Sequence, residues 1–303
     1  MTTIIGRADP SVTAASAPGI LRLGNRRRAT VHAAALPVRF RERRRGMPLR
    51  RDPRKGPPTV RAPVSLALVG ALLLAPGPVE ASHPADVKLP DLGMAPLQDF
   101  SIQKRPNGVR WLRFSSIVVN VGVGPFRAVG YNLDAGELNV SQVLRTTSRT
   151  WVRHATLAKM YFGGDGHQHW HVRDLEQFVL EGTNTGKLYG EKHGFCFYDT
   201  YRYKVSALGG PSSPVYTSVN SCRTRTNGTV LMGLSKGWGD IYPSAIVDQY
   251  INFTGLPAGE YTVTATADWA NWFVESNESN NSTSARIRIS KAGVTVLDGG
   301  VGP

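Results

Sequence analysis

From about residue 89 onward, no long stretch of this chain keeps helical spacing. Short runs rich in β-branched and aromatic residues alternate instead with Gly, Pro, Asn and Ser. Such runs bury an apolar face only by pairing edge to edge and stacking, which constrains the chain to sheets. Candidate strands are residues 109–122, 141–151, 170–181, 194–199, 248–254, 260–269 and 284–290. In "EYTVTATADW", Tyr261, Val263 and Ala265 share one face under the period of two, and Thr262, Thr264 and Thr266 share the other. Segments 122–131 and 209–214 read as loops. The expected fold is mainly β, an antiparallel β-sandwich with long loops and little helix.

The formal net charge of +14 suggests a nucleic-acid partner until it is divided along the chain. Residues 1–61 hold 15 of the 36 Lys and Arg and 3 of the 22 Asp and Glu, whereas residues 82–303 hold 21 and 18. The basic excess belongs to the N-terminal region, so no nucleic-acid partner is expected. Residues 1–61 read as disordered or as lying upstream of a true start at Met47. Residues 47–81 read as a signal peptide: a basic stretch with Arg50 and Arg51, the apolar run "APVSLALVGALLLA" at 62–75, then small Ala81. That run is short for a bilayer span. Cleavage near Ala81 is favoured over a retained anchor, and membrane contact is expected only through this signal. The product is expected to be secreted or held at the cell surface. Residues 89–290 read as one domain and 291–303 as a C-terminal tail. In an exported chain the two cysteines, Cys196 and Cys222, suggest a disulfide. No Gly-rich phosphate loop and no "GxSxG" elbow is present, which argues against nucleotide and serine-hydrolase chemistry.

Three of the seven histidines fall within "GDGHQHWH", at His167, His169 and His171. Alternate positions of a strand face one side, but the outer two are roughly 13 Å apart on extended chain. All three reach one ion only if the backbone curls, and Gly163, Gly164 and Gly166 supply that freedom. Three neutral nitrogen donors without a thiolate suit copper or zinc. Asp165 and Asp174 are candidates to orient an imidazole from behind. Trp170, on the opposite face, is expected in the core.

"GHQHWH", "GEKHGFCFYDT" (190–200), "GLSKGWGDIY" (233–242), "DQYINFT" and "LPAGEYTVTATADWANWFVESNESNN" follow one another in the order of the lysyl oxidase family, which the chain resembles. "LPDL" (89–92) and "WLRFSSIVVNVGVGPF" (111–126) resemble the family's start, so the resemblance covers about 89–290. It implies copper held by His167, His169 and His171. It implies a self-derived cofactor, lysine tyrosylquinone, made by joining Lys192 to an oxidised Tyr242. Cys196 and Cys222 fall where a family disulfide is expected. Asp240, two residues before Tyr242, matches a family acid and is the candidate base. The implied reaction is oxidation of a primary amine, a peptidyl lysine or a small amine, by molecular oxygen to an aldehyde with ammonia and hydrogen peroxide. The chain departs from animal members at Ala245 and Val247, where they carry acids, at Asp248, where they carry cysteine, and at Gly164 and Gly166.

Two other classes stay open. One is a non-catalytic, metal-binding extracellular β-sandwich module used for adhesion or interaction. The other is a zinc hydrolase, for which Glu176 or Glu181 would have to approach the histidines.

Overall fold

The computed structural model describes residues 86–303 except 164–167 and 226. The basic N-terminal region, the expected signal peptide and its apolar run therefore lie outside the described residues. In chain order the strands are β1 (Val87–Lys88), β2 (Leu92–Met94), β3 (Gln98–Lys104), β4 (Arg110–Asn120), β5 (Phe126–Asp134), β6 (Glu137–Thr146), β7 (Trp151–Phe162), β8 (Trp170–Arg173) and β9 (Glu176–Gly182). They continue as β10 (Leu188–Tyr189), β11 (Gly194–Phe195), β12 (Tyr201–Arg202), β13 (Val230–Leu234), β14 (Trp238–Tyr242), β15 (Tyr250–Asn252), β16 (Gly259–Ala267), β17 (Ser282–Ile289) and β18 (Val294–Asp298). The α-helix Val205–Leu208 is a single turn. The chain is mainly β with little helix, as its patterning predicts.

Three antiparallel sheets result. One runs β11-β8-β7-β6-β5-β13, with β1 beside β6; a second runs β10-β9-β16-β17-β18; a third runs β12-β14-β4-β15, with β2 and β3 also on β4. Strand β4 is paired along both edges and buried from Phe114 to Asn120, so Ser115, Ser116 and Asn120 lie inside and no polar alternation marks a wet face. Strands β16 and β17 have one wet face and alternate cleanly, with Tyr261, Val263, Ala265, Ala285 and Ile287 inward. All three sheets contribute to one core. Phe126 of the first sheet meets Phe197 and Phe273 at ring-centroid distances of 5.1 and 4.9 Å, and Phe114 of the third meets Phe178 of the second at 5.2 Å.

Several boundaries differ from the sequence reading. The candidate strand 141–151 is the end of β6, a turn with Arg149 at φ 67°, and the start of β7. The candidate strand 170–181 is broken between β8 and β9, where Asp174 takes φ 51°. Segment 122–131, expected as a loop, contains most of β5. Its Gly130 is a packing glycine, since a Cβ there would overlap the Met160 and Leu138 side chains. The tail 291–303 carries β18, which extends the second sheet.

Cys196 and Cys222 form the disulfide, closing a loop with a sequence separation of 26. In the chain-entropy model such a loop contributes about 3–4 kcal/mol. Replacing both cysteines with alanine is expected to lower unfolding free energy by that order in urea titrations. A change under about 1 kcal/mol would show that the reduced chain already holds this loop.

Candidate active site

The turn that carries the histidines is closed by Gly163. Its amide donates to the His169 carbonyl at 2.9 Å, and its φ of 78° suits glycine. Its carbonyl lies 3.1 Å from His171 Nδ1. A carbonyl only accepts, so Nδ1 carries the ring proton and Nε2 is the lone-pair nitrogen. His171 is buried, and its ring centroid lies 4.4 Å from that of His169. Two imidazoles of the expected set are therefore together on one side of the chain. His167 lies outside the described residues, as does Asp165. Trp170 turns the other way into the core, and its indole donates to Thr224 Oγ1 at 2.9 Å. Asp174 is engaged with exposed His193 at 2.6 Å and does not brace a member of the histidine motif through that bond.

Strand β11 pairs with β8, which carries the end of the histidine motif, Trp170 and His171. A Cβ on its Gly194 would overlap the Tyr161 hydroxyl and press on the His171 ring. The residues just before β11 are fixed by backbone bonds on both sides: Glu191 N donates to the Tyr250 carbonyl at 3.0 Å, and Asp174 N to the His193 carbonyl at 2.7 Å. Glu191 and His193 face out, so the residue between them, Lys192, faces in. Its side chain is 2% exposed and its ammonium lies 5.2 Å from the centroid of the Tyr242 ring. Phe195 packs edge-on against the same ring at 5.3 Å.

Tyr242 ends β14 two positions after Asp240, so both side chains leave the strand on one face. The Tyr242 hydroxyl donates to the Cys196 carbonyl at 3.2 Å and lies beside the Asp240 carboxyl. Burial and that neighbouring carboxyl push the Tyr242 phenol well above its ordinary value. Burial also pushes Asp240 up to about 7, against a bond donated by Thr200. His169, His171, Lys192, Asp240 and Tyr242 line one cavity of about 770 Å³, closed on one side by the Cys196–Cys222 bridge.

Two further carboxylates complete the surroundings. Asp248, legible in the sequence only as a departure from animal relatives, pairs with Lys192 at 3.4 Å. Glu176 is buried, and that burial pushes it up to about 8 even though the nearby lysine charge pulls the other way; the two share no ion pair. One of its oxygens accepts from Ser116 Oγ at 3.2 Å; the other has no partner among the described residues. The sequence offered Glu176 only as a carboxylate that would have to approach the histidines; the fold leaves it outside the cavity that His169 and His171 line. Glu181 is exposed on β9 and does not line the cavity that holds His169 and His171. Ala245 and Val247 are also exposed, so the acids missing there are missing from the rim.

A protein-family model described as lysyl oxidase matches residues 137–298, more than half of the chain. The chain belongs to the lysyl oxidase family. Among curated proteins no match to it is found. The residues of this lysyl oxidase-family site fit what the family requires. The His169 and His171 rings come together without a thiolate beside them, a donor type that suits copper. A buried lysine stands over a buried tyrosine within reach of its four-carbon stem.

Buried acids give this site a pH signature. Asp240 and Glu176 titrate near 7 and 8 in the fold but lose their protons near pH 4 once unfolded. Between those values the folded state binds more protons, so stability falls as pH rises from about 4 to 8. The metal-free protein is expected to melt at a higher temperature at pH 5 than at pH 8, with a smaller difference in Glu176→Gln. Equal melting of the wild type at both pH values would contradict the assignment.

Proposed function

We propose that this chain is an exported, copper-dependent amine oxidase of lysyl oxidase type. The supporting observation is one cavity that holds two motif histidines and a buried lysine 5.2 Å from a buried tyrosine ring. A solvated surface lysine or a merely packed tyrosine would not need this arrangement. Copper would be held by His169 and His171 together with His167, with His171 oriented by Gly163. When present, copper and the Lys192–Tyr242 quinone supply oxygen activation and an electrophilic carbonyl for a primary amine.

The rest of the chemistry falls to this chain's own groups. Gly163, Gly194 and the disulfide fix the histidine turn, the lysine and the tyrosine relative to one another. Phe195 and Ile246 limit water around the reacting ring. Asp240 holds a proton close to neutral pH, which suits a group that takes the α-proton of a bound amine and gives it back later. In the net reaction the amine, oxygen and water become an aldehyde, ammonia and hydrogen peroxide. Both a lysyl side chain and a small amine fit a cavity of this size. The apolar run at 62–75 and the formed disulfide support export.

The copper-loaded, aerobically grown protein is expected to yield a tryptic species joining the Lys192 and Tyr242 peptides, and to release peroxide from a primary amine. Lys192→Arg and His169→Ala are expected to lose that release to background. Separate, unmodified Lys192 and Tyr242 peptides from copper-replete protein would sink the reading and favour a non-catalytic metal-binding module.

A further inference from the structure

Glu176 is not needed for the metal site and does not line the substrate cavity, yet it sits in the interior with a carboxyl. An isolated carboxylate there is costly, and an orphaned buried acceptor adds to the cost. The polar groups around it form a short chain: Gln249 Nε2 donates to Ser116 Oγ at 3.3 Å, and Ser116 Oγ donates to Glu176 Oε2. Ser116 is in register with Tyr242 across β4 and β14, which brings this chain up against the tyrosine. Lys192, from the segment before β11, holds its Nζ 5.2 Å from the same Tyr242 ring, and its charge acts on Glu176; Asp240 and Tyr242, both from β14, are the other titratable groups facing Glu176. Glu176 Oε1 is the oxygen with no donor among the described residues.

We propose that Glu176 is the proton acceptor that converts the Lys192 ammonium to the neutral amine needed for joining to Tyr242. This rests on the amine oxidase reading above. The step is a proton transfer only: an N–H bond of the ammonium breaks, its electron pair stays on Nζ, and the proton forms an O–H bond on the Glu176 carboxylate. The new amine lone pair is then available to the ring, while protonation removes the buried negative charge from Glu176. Asp248 has the other role. It is one-fifth exposed, so water shares its charge, and its contact with Nζ stabilises the ammonium before transfer. The carboxyl that gains most from a proton is the one no water reaches.

Two readouts test this on the full chain. In copper-free protein, carbon-13 carboxyl NMR is expected to show the Glu176 midpoint moving up in Lys192→Met relative to wild type. Identical midpoints would overturn the proposal whether or not the cofactor forms. After aerobic copper addition, mass spectrometry follows joining of the two peptides over time. Glu176→Gln, checked for an unchanged fold by circular dichroism, is expected to join them roughly a hundredfold more slowly, the lower bound for losing an acid–base group. It should accumulate oxidised Tyr242 beside unmodified Lys192. Wild-type joining should accelerate as pH rises through about 8, where Glu176 loses its proton, and Glu176→Gln should lack that rise. Glu176→Asp, which keeps a carboxyl, should recover part of the rate. Joining at the wild-type rate in Glu176→Gln would overturn this assignment alone. A wild type that never joins the peptides would overturn it together with the amine oxidase reading.

Discussion

An ammonium held at 2% exposure inside a β-sheet protein is the constraint around which this structure is arranged. Lysine is strongly hydrated, and its burial is tolerated only where partners replace that water. Here Asp248 supplies an ion pair, and Phe195 and Tyr242 supply two ring faces at 5.2 Å each. The short β11, the end of β14 and the segment that leads into β15 are thereby tied to one another through a single side chain.

Much of the architecture was legible in the sequence because the period of two is strong where one sheet face is wet. Strands β16 and β17 follow it residue by residue. It fails where both faces are covered or where glycine has a packing task. Gly130 punctuates β5 like a turn, although the reason for glycine there is the approach of Met160 and Leu138. The break at Asp174 was hidden for a related reason: a single left-handed residue splits a run whose apolar pattern continues on both sides.

The site was legible in part. The histidine cluster announces itself by density, and its glycines have the closing role that the spacing demands at Gly163. Lys192 and Tyr242 carry no local signal and were visible only through matched flanking blocks. Their juxtaposition depends on long-range pairing of β4 with β14 and of β8 with β11. Asp248 and Glu176 illustrate the limit more sharply. A departure from relatives became an ion-pair partner, and a glutamate considered only for a place beside the histidines became a buried group near the lysine. Such roles arise from what the fold brings together, and a local pattern does not encode them.

The disulfide also carries information about sequence of events. The Cys196 carbonyl receives the Tyr242 hydroxyl, and the Cys222 carbonyl receives the amide of Trp170, which stands between His169 and His171. The bridge is thus a tether between Tyr242 and the segment that carries His169 and His171. A chain whose thiols are still reduced has these two halves joined by weaker contacts alone. Under the proposed amine oxidase reading, coupling that geometry to prior thiol oxidation would act as an internal clock: joining of Lys192 to Tyr242 would follow formation of the bridge.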